Sequence, residues 1–93
     1  DGNVHTNILK EDMSDEEWNA KVQNFCADAY RLSLSLGGNI SAEHGIGLVR
    51  KQFLPLALGA NERDSAIQID LMRKIKTIFD PNNILNPDKI FTL

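Results

Sequence analysis

The chain has little cysteine, no excess of positive charge and no long apolar run. Cys26 stands alone among 93 residues, so the chain forms no internal disulfide and no cysteine-based zinc cage, which fits a reducing compartment. Ten Lys and Arg against 13 Asp and Glu give a net charge of −3. This balance disfavours binding to nucleic acid, because a protein that binds the phosphate backbone needs clustered positive charge. We therefore expect a cytoplasmic protein, with peripheral membrane association left open.

The length allows at most one small domain with a modest core. The chain opens on Asp1, without an initiator Met or a secretion signal, and we interpret it as a piece of a longer protein. Such a piece exposes apolar surface that its neighbours once covered. We therefore expect self-association through the first long helix or the C-terminal tail.

A short strand is predicted near the start, because apolar and polar residues alternate from Val4 to Leu9. In a strand, His5 and Asn7 project from the same side, so an imidazole and an amide would face one ligand. A His at such a place is a candidate metal ligand or general base. A solvated polar face is the simpler alternative.

A long helix is predicted after Ser14, because Ser14 and Glu17 form a capping-box pattern. Gly37 and Gly38 supply the left-handed stop. The apolar positions recur at steps of three and four, which predicts one buried stripe. The stripe consists of Trp18, Val22, Phe25, Ala29, Leu32 and Leu36.

A shorter helix is predicted from Ala42 toward Phe53, with Ser41 as its N-cap and Pro55 limiting its far end. Gly45 and Gly47 are unfavourable within a helix, at roughly 1 kcal/mol each. They indicate either a close approach of another group to the backbone or a loose turn.

A second long helix is predicted after Gly59 and Asn61, and Asp80-Pro81-Asn82-Asn83 ends it. Its apolar stripe is Ile67, Leu71, Ile75 and Ile78. A tail with several apolar residues follows, and these residues must pack against another surface. The fold class is therefore α+β and predominantly helical, with one short N-terminal strand and two long helices separated by a shorter one.

Glu43 and His44 stand side by side where the shorter helix is predicted to begin, about 100° apart in projection. The carboxylate suits a divalent cation, and the imidazole can take a proton near neutral pH. Glu43 would also suit the positive end of a helix, and from this segment alone that capping role is the simpler one. Catalytic zinc-type sites usually have three protein ligands. His5 and Glu43 supply two, so the third is either His44 or a residue outside the chain.

Three blocks, in order, resemble the C-terminal end of FAD-linked oxidases of the glycolate oxidase, D-lactate dehydrogenase and D-2-hydroxyglutarate dehydrogenase type. The blocks are Asp1-Gly2-Asn3-Val4-His5, Gly38-Asn39-Ile40-Ser41-Ala42-Glu43-His44-Gly45-Ile46-Gly47 and Asp80-Pro81-Asn82-Asn83-Ile84-Leu85-Asn86-Pro87. The resemblance implies that residues 1–93 are the last portion of a substrate-cap domain. A separate FAD-binding domain of the vanillyl-alcohol oxidase type would precede it.

The same resemblance implies roles for five residues. His5 and Glu43 would bind a divalent metal such as Zn, Mn or Fe, with a further His ligand lying before Asp1. Asn7 would hold a 2-hydroxy acid substrate, His44 would take the hydroxyl proton while hydride passes to FAD, and Asn86 would approach the flavin. The isolated piece would be inactive and would need the rest of its parent enzyme. A small helical interaction module without a catalytic role is the alternative.

Overall fold

The computed structural model describes residues 2–59 and 61–93, which form helices joined by turns. The elements are α1 (Asp15–Ser35), a 3₁₀ helix (Lys51–Phe53), α2 (Leu54–Leu58) and α3 (Glu62–Phe79). The predominantly helical character is confirmed. Across these two ranges no helix is long and apolar enough to cross a membrane. Asp1, the first residue of the opening motif, lies outside the described residues.

The strand predicted from Val4 to Leu9 is wrong. Residues 2–10 have no regular secondary structure, and residues 2–9 are all exposed. An alternating pattern forms a strand only when a neighbouring strand accepts and donates its backbone hydrogen bonds. The described part of the chain contains no strand that could pair with this segment.

Helix α1 begins and ends as the sequence predicts. The Glu17 amide donates to Ser14 Oγ at 3.2 Å, and the Ser14 amide donates to Glu17 Oε2 at 3.4 Å. A cap of this kind stabilises a helix by about 1 kcal/mol. At the other end Gly37 takes a left-handed φ of 78°, and the Gly38 amide donates to the Ser33 carbonyl at 2.8 Å.

The apolar stripe of α1 is only partly covered, so the prediction of one buried stripe is wrong. Trp18, Val22 and Ala29 are half-buried, and no residue of α1 is fully buried. The other three stripe residues are exposed: Phe25 at 42%, Leu32 at 60% and Leu36 at 78%. The helix meets the rest of the chain beside the stripe, where Tyr30 packs edge-on against Phe53 with ring centroids 4.9 Å apart.

The continuous helix predicted from Ala42 to Phe53 is also wrong. Turns occupy most of residues 42–50, and only Lys51–Phe53 form a 3₁₀ helix. Left-handed φ angles of 43° at Ala42, 73° at Gly45 and 55° at Gly47 interrupt the helical path. Pro55 does not end a helix; it lies in the first turn of α2, where its missing N–H has no cost. A Cβ at Gly45 or Gly47 would meet no atom within 4 Å, so the turn, not a close approach, accounts for both glycines among the described residues.

Helix α3 is confirmed at both ends. Asn61 caps its start by accepting from the Asp64 amide at 3.0 Å, and Asp80 follows its last residue. Its predicted stripe is nevertheless exposed, at 50% or more for each member: Ile67, Leu71, Ile75 and Ile78. The opposite face of α3 packs against α2 and the tail, and it is lined by Ser65, Ile69, Met72, Arg73 and Lys76.

The C-terminal tail docks between the 3₁₀ helix and α3. Phe91 is buried, with the Arg73 guanidinium 6.0 Å from its ring centroid. Lys51 Nζ donates to the Asp88 carbonyl at 3.1 Å and to Thr92 Oγ1 at 2.6 Å, while Arg73 Nε donates to the Thr92 carbonyl at 2.8 Å. Two cationic side chains thus hold the tail around a small apolar core, whose buried members are Ile40, Leu54 and Phe91.

A buried carboxylate fixes the reversal of the chain after α3. Asp80 accepts from the Lys76 ammonium and from the amides of Ile84, at 3.0 Å, and Leu85, at 2.9 Å. Lys76 Nζ also donates to the Leu85 carbonyl at 2.7 Å. The Lys76 hydrogen bond, followed by the two amides, holds the pKa of Asp80 below its ordinary value of 3.8.

Replacing Asp80 with Asn should destabilise the chain and flatten its acid dependence. Since the folded pKa lies below 3.8, the carboxylate stabilises the fold above that pH and loses its effect as the pH falls through the lowered pKa. We expect the D80N melting temperature at pH 7 to fall by several degrees, on the order of 5 °C, in circular-dichroism melts. D88N, which alters an exposed carboxylate in the same tail, is the control. Equal melting of D80N and wild type between pH 3 and pH 7 would contradict this role.

Self-association stays a prediction, now with defined surfaces. The exposed positions of α1 and those of the tail, Ile84 at 74% and Leu85 at 59%, are the apolar areas in question. We expect the apparent mass of the isolated chain to rise with concentration in analytical ultracentrifugation. Leu32→Glu or Ile84→Glu should suppress the rise, because a charge in an apolar interface is unfavourable. A monodisperse monomer at high concentration would contradict the prediction.

Candidate functional site

Three predicted site residues meet on one surface of the chain. His5 Nε2 lies 3.1 Å from Glu43 Oε1, and His44 Nε2 lies 3.3 Å from the same oxygen. The two imidazole rings are nearly perpendicular, at 89°, with centroids 6.0 Å apart. One carboxylate oxygen therefore joins two imidazoles that come from distant parts of the sequence.

Each member of this cluster is carried by a segment without regular structure. His5 stands in the N-terminal segment, while Glu43 and His44 stand in the loop between α1 and the 3₁₀ helix. In this loop the Gly45 amide donates to the Ser41 carbonyl at 3.0 Å, which closes one turn. The left-handed Ala42 precedes Glu43 and the left-handed Gly45 follows His44, so the pair lies at the tip of a tight reversal.

Asn3 joins the cluster, and sequence reasoning missed it. Its Nδ2 donates to Glu43 Oε2 at 2.8 Å, so Oε1 is left to the two imidazoles. The signal that could have found it is its position two residues before His5 in the opening motif. Both oxygens of Glu43 therefore have partners, and the carboxylate holds a defined orientation.

The electrostatics of the cluster favour an ionised Glu43. A backbone hydrogen bond is the main cause that lowers the pKa of Glu43 below 4.5, and the charges of His5, His44 and Arg50 lower it further. Partial burial opposes these effects. The side chain of Glu43 is 46% exposed and that of His5 is 62% exposed, so the cluster is open to solvent on one side.

The donor set fits a divalent cation. One ligand atom each from His5, Glu43 and His44 lies within 4.8 Å of the others. Two imidazole nitrogens and a carboxylate oxygen are ligands that Zn, Mn and Fe accept, and three protein ligands with an open position are typical of catalytic sites. Carboxylates that bind a metal are usually held by a hydrogen bond from an outer residue, and Asn3 donates such a bond to Glu43.

The other two predicted site residues lie outside the cluster. Asn7 is exposed, two residues beyond His5 in the same segment, and forms no hydrogen bond to the three clustered side chains. Asn86 stands in a turn of the tail with a left-handed φ of 48°, and its carbonyl accepts from the Lys89 amide at 3.4 Å. Substrate contact by Asn7 and flavin contact by Asn86 stay predictions.

The fold and the cluster together define a helical domain that presents a carboxylate and two imidazoles at an open, cation-compatible surface. Residues 1–90 match the family described as FAD linked oxidases, C-terminal domain, and the chain belongs to this family. The resemblance noted in the sequence is thereby confirmed.

Named relatives agree with this assignment. The chain is 38% identical over 92 residues to a D-2-hydroxyglutarate dehydrogenase of Stutzerimonas stutzeri, covering 98% of the chain and 18% of that protein. It is 39% identical over 90 residues to a D-lactate dehydrogenase of Anaerostipes hadrus, covering 97% and 18%. The glycolate oxidase GlcD protein of Bacillus subtilis is 35% identical over 91 residues, covering 98% and 18%. The chain thus spans about a fifth of the length of these relatives. No solved structure matches.

A titration of Glu43 tests the geometry of the cluster. We expect the side-chain carboxyl ¹³C resonance of Glu43 to titrate with a midpoint below 4.5, because its ionised form is hydrogen-bonded and lies beside positive charge. His5→Ala should move the midpoint upward by removing one of those charges. Val4→Ala, at a neighbouring position that is 84% exposed, should leave it in place. A wild-type midpoint at or above 4.5 would show that the cluster does not form in solution.

Proposed function

We propose that the chain supplies the proton-transfer and substrate-orienting part of the active site of an FAD-dependent D-2-hydroxy acid dehydrogenase. The convergence of His5 and His44 on one carboxylate oxygen of Glu43 supports this proposal most directly. The relatives named D-lactate dehydrogenase and D-2-hydroxyglutarate dehydrogenase give the substrate class. The flavin domain would belong to the rest of the protein, and residues 1–93 would be the last portion of its substrate-cap domain.

Each residue of the cluster has a role in this proposal. Glu43, with Asn3 on one oxygen, presents the other oxygen together with His5 Nε2 toward a divalent cation. His44 takes the proton of the substrate 2-hydroxyl at a ring nitrogen, and the adjacent carboxylate stabilises the imidazolium that results. Asn7 would donate from its amide to the substrate carboxylate, as a neighbour of His5 on the same segment.

Two groups from outside the chain complete the chemistry. When bound, FAD supplies the redox capacity that accepts hydride from the 2-carbon, and a cation such as Zn, Mn or Fe supplies positive charge that orients the 2-hydroxy acid. His5 and Glu43 would provide two of the cation ligands. Asn86, at the tail, would approach the flavin.

The isolated chain should be inactive, because the residues that bind FAD would lie in another domain of the longer protein. The longer protein would be cytoplasmic. A small interaction module without catalysis, the alternative, gives no reason for Asn3, His5 and His44 to meet on one carboxylate. The convergence therefore favours the enzyme.

The decisive experiment assays the full-length protein with bound FAD against D-lactate, glycolate and D-2-hydroxyglutarate. We expect reduction of the flavin by at least one of them. His44→Ala should lower kcat by about 100-fold or more, the usual contribution of a positioned base, with the FAD content unchanged. Val49→Ala, an exposed change in the same loop region, should keep wild-type turnover. A full-length protein without flavin or without this activity would overturn the proposal, and retained turnover in H44A would remove the role of His44.

A further inference from the structure

Arg50 holds the loop that carries Glu43 and His44 from its inner side. Its side chain is half-buried, and Nη1 donates to the Gly45 carbonyl at 2.9 Å. The Arg50 amide also donates to the Ile46 carbonyl at 3.2 Å, so one residue binds two successive carbonyls of the loop. Gly45 directly follows His44, and a shift of its carbonyl would therefore reorient the imidazole.

Other side chains form hydrogen bonds or ion pairs with this loop only at Ser41, whose amide donates to Asn39 Oδ1 at 3.2 Å, and at Glu43, which meets Asn3 and His5, among the contacts of the described residues. Ala42, Gly45 and Gly47 all take left-handed φ angles. Glycine adopts this conformation freely, but at Ala42 it persists only when surrounding contacts enforce it. Among the described residues, three hydrogen bonds between backbone amides and carbonyls involve residues 41–47. The amides of Gly45, Arg50 and Ile90 donate to the carbonyls of Ser41, Ile46 and Gly47, respectively. The Arg50 guanidinium donates to the carbonyl at the tip of this reversal.

The neighbouring cation shows that this placement is specific. Lys51 points the other way and donates to the tail, at the Asp88 carbonyl and at Thr92 Oγ1. Arg50 turns back five residues to reach Gly45, and its Nε is buried without a hydrogen-bond partner in the described structure. Burying an unpaired N–H is unfavourable. A merely space-filling position would be served better by an apolar side chain, which favours a role for the Nη1 contact.

We propose that Arg50 is a positioning residue for the Glu43–His44 pair. By fixing the Gly45 carbonyl it fixes the direction in which His44 presents its ring and in which Glu43 meets His5. The kinetic consequence rests on the proposed function, because it requires His44 to act as base. The structural consequence does not, since it concerns the loop alone.

The test compares Arg50→Met with Lys51→Met in the full-length, FAD-containing protein. Both variants remove one positive charge from adjacent residues, but only R50M removes the Gly45 contact. Peptide-resolved hydrogen exchange should show residues 42–50 exchanging about 10-fold faster or more in R50M, with residues 86–93 unchanged. K51M should show the larger increase at residues 86–93 and a smaller one at residues 42–50, which the tail reaches through the Ile90–Gly47 hydrogen bond. Arg50→Lys, which keeps a donor and a charge, should restore most of the protection.

Turnover gives an independent readout. A misplaced catalytic group lowers kcat more than it raises KM, and we expect R50M to lose roughly 10-fold or more in kcat with KM within about threefold of wild type. K51M should lose clearly less kcat than R50M, because it leaves the Gly45 contact in place and reaches the loop only through the tail. Unchanged exchange at residues 42–50 in R50M overturns the proposal whatever the activity.

Increased exchange with unchanged kcat overturns the positioning role. If R50M does not fold, Arg50→Gln replaces it in both comparisons. Absence of 2-hydroxy acid activity in the wild type contradicts the proposed function, while the exchange comparison still decides whether Arg50 orders the loop.

Discussion

The docking of the tail is the interaction on which the rest of the structure depends. Phe91 is one of only three buried apolar residues of the described chain, and Lys51 and Arg73 hold the segment around it from two different elements. The same segment reaches the functional loop, because the Ile90 amide donates to the Gly47 carbonyl at 2.8 Å. A core this small gives little stabilisation by itself. Hydrogen bonds from cationic side chains therefore connect α3 and the 3₁₀ helix through the tail, and a backbone hydrogen bond extends the connection to the loop of Glu43.

Local signals in the sequence predicted the long helices well. The Ser14–Glu17 capping box, the glycines after α1 and the Asn61 cap act within one turn, so their geometry depends on nearby residues alone. The strand at Val4–Leu9 failed for the opposite reason. A strand requires a partner, and the alternating pattern carries no information on whether one is present. The helix predicted after Ser41 failed because left-handed residues at Ala42 and Gly47 favour turns over helical propagation.

Three members of the candidate site were predictable, whereas Asn3 and the arrangement of the site were not. His5, Glu43 and His44 were identified by chemistry and family resemblance, and the structure brings all three together. Asn3 and Arg50 act through a carboxylate and a carbonyl, and a sequence does not show which distant group an amide or guanidinium will reach. The apolar stripes illustrate the same limit. Periodicity located the stripe of α3, yet the face that packs is the opposite one, because the tail and α2 occupy it.

The meeting of Asn3 and His5 on Glu43 has a consequence for how substitutions at this site are interpreted. Residues 2–9 are exposed and lack regular structure, so the contacts of Asn3 and His5 with one carboxylate are what tie this segment to the loop. Ordering a backbone costs about 1–2 kcal/mol per residue. A substitution of Glu43 would release that segment together with any ligand it held. The loss measured for such a variant would therefore combine the freed entropy of a whole segment with the role of one side chain, and would overstate what the carboxylate does by itself.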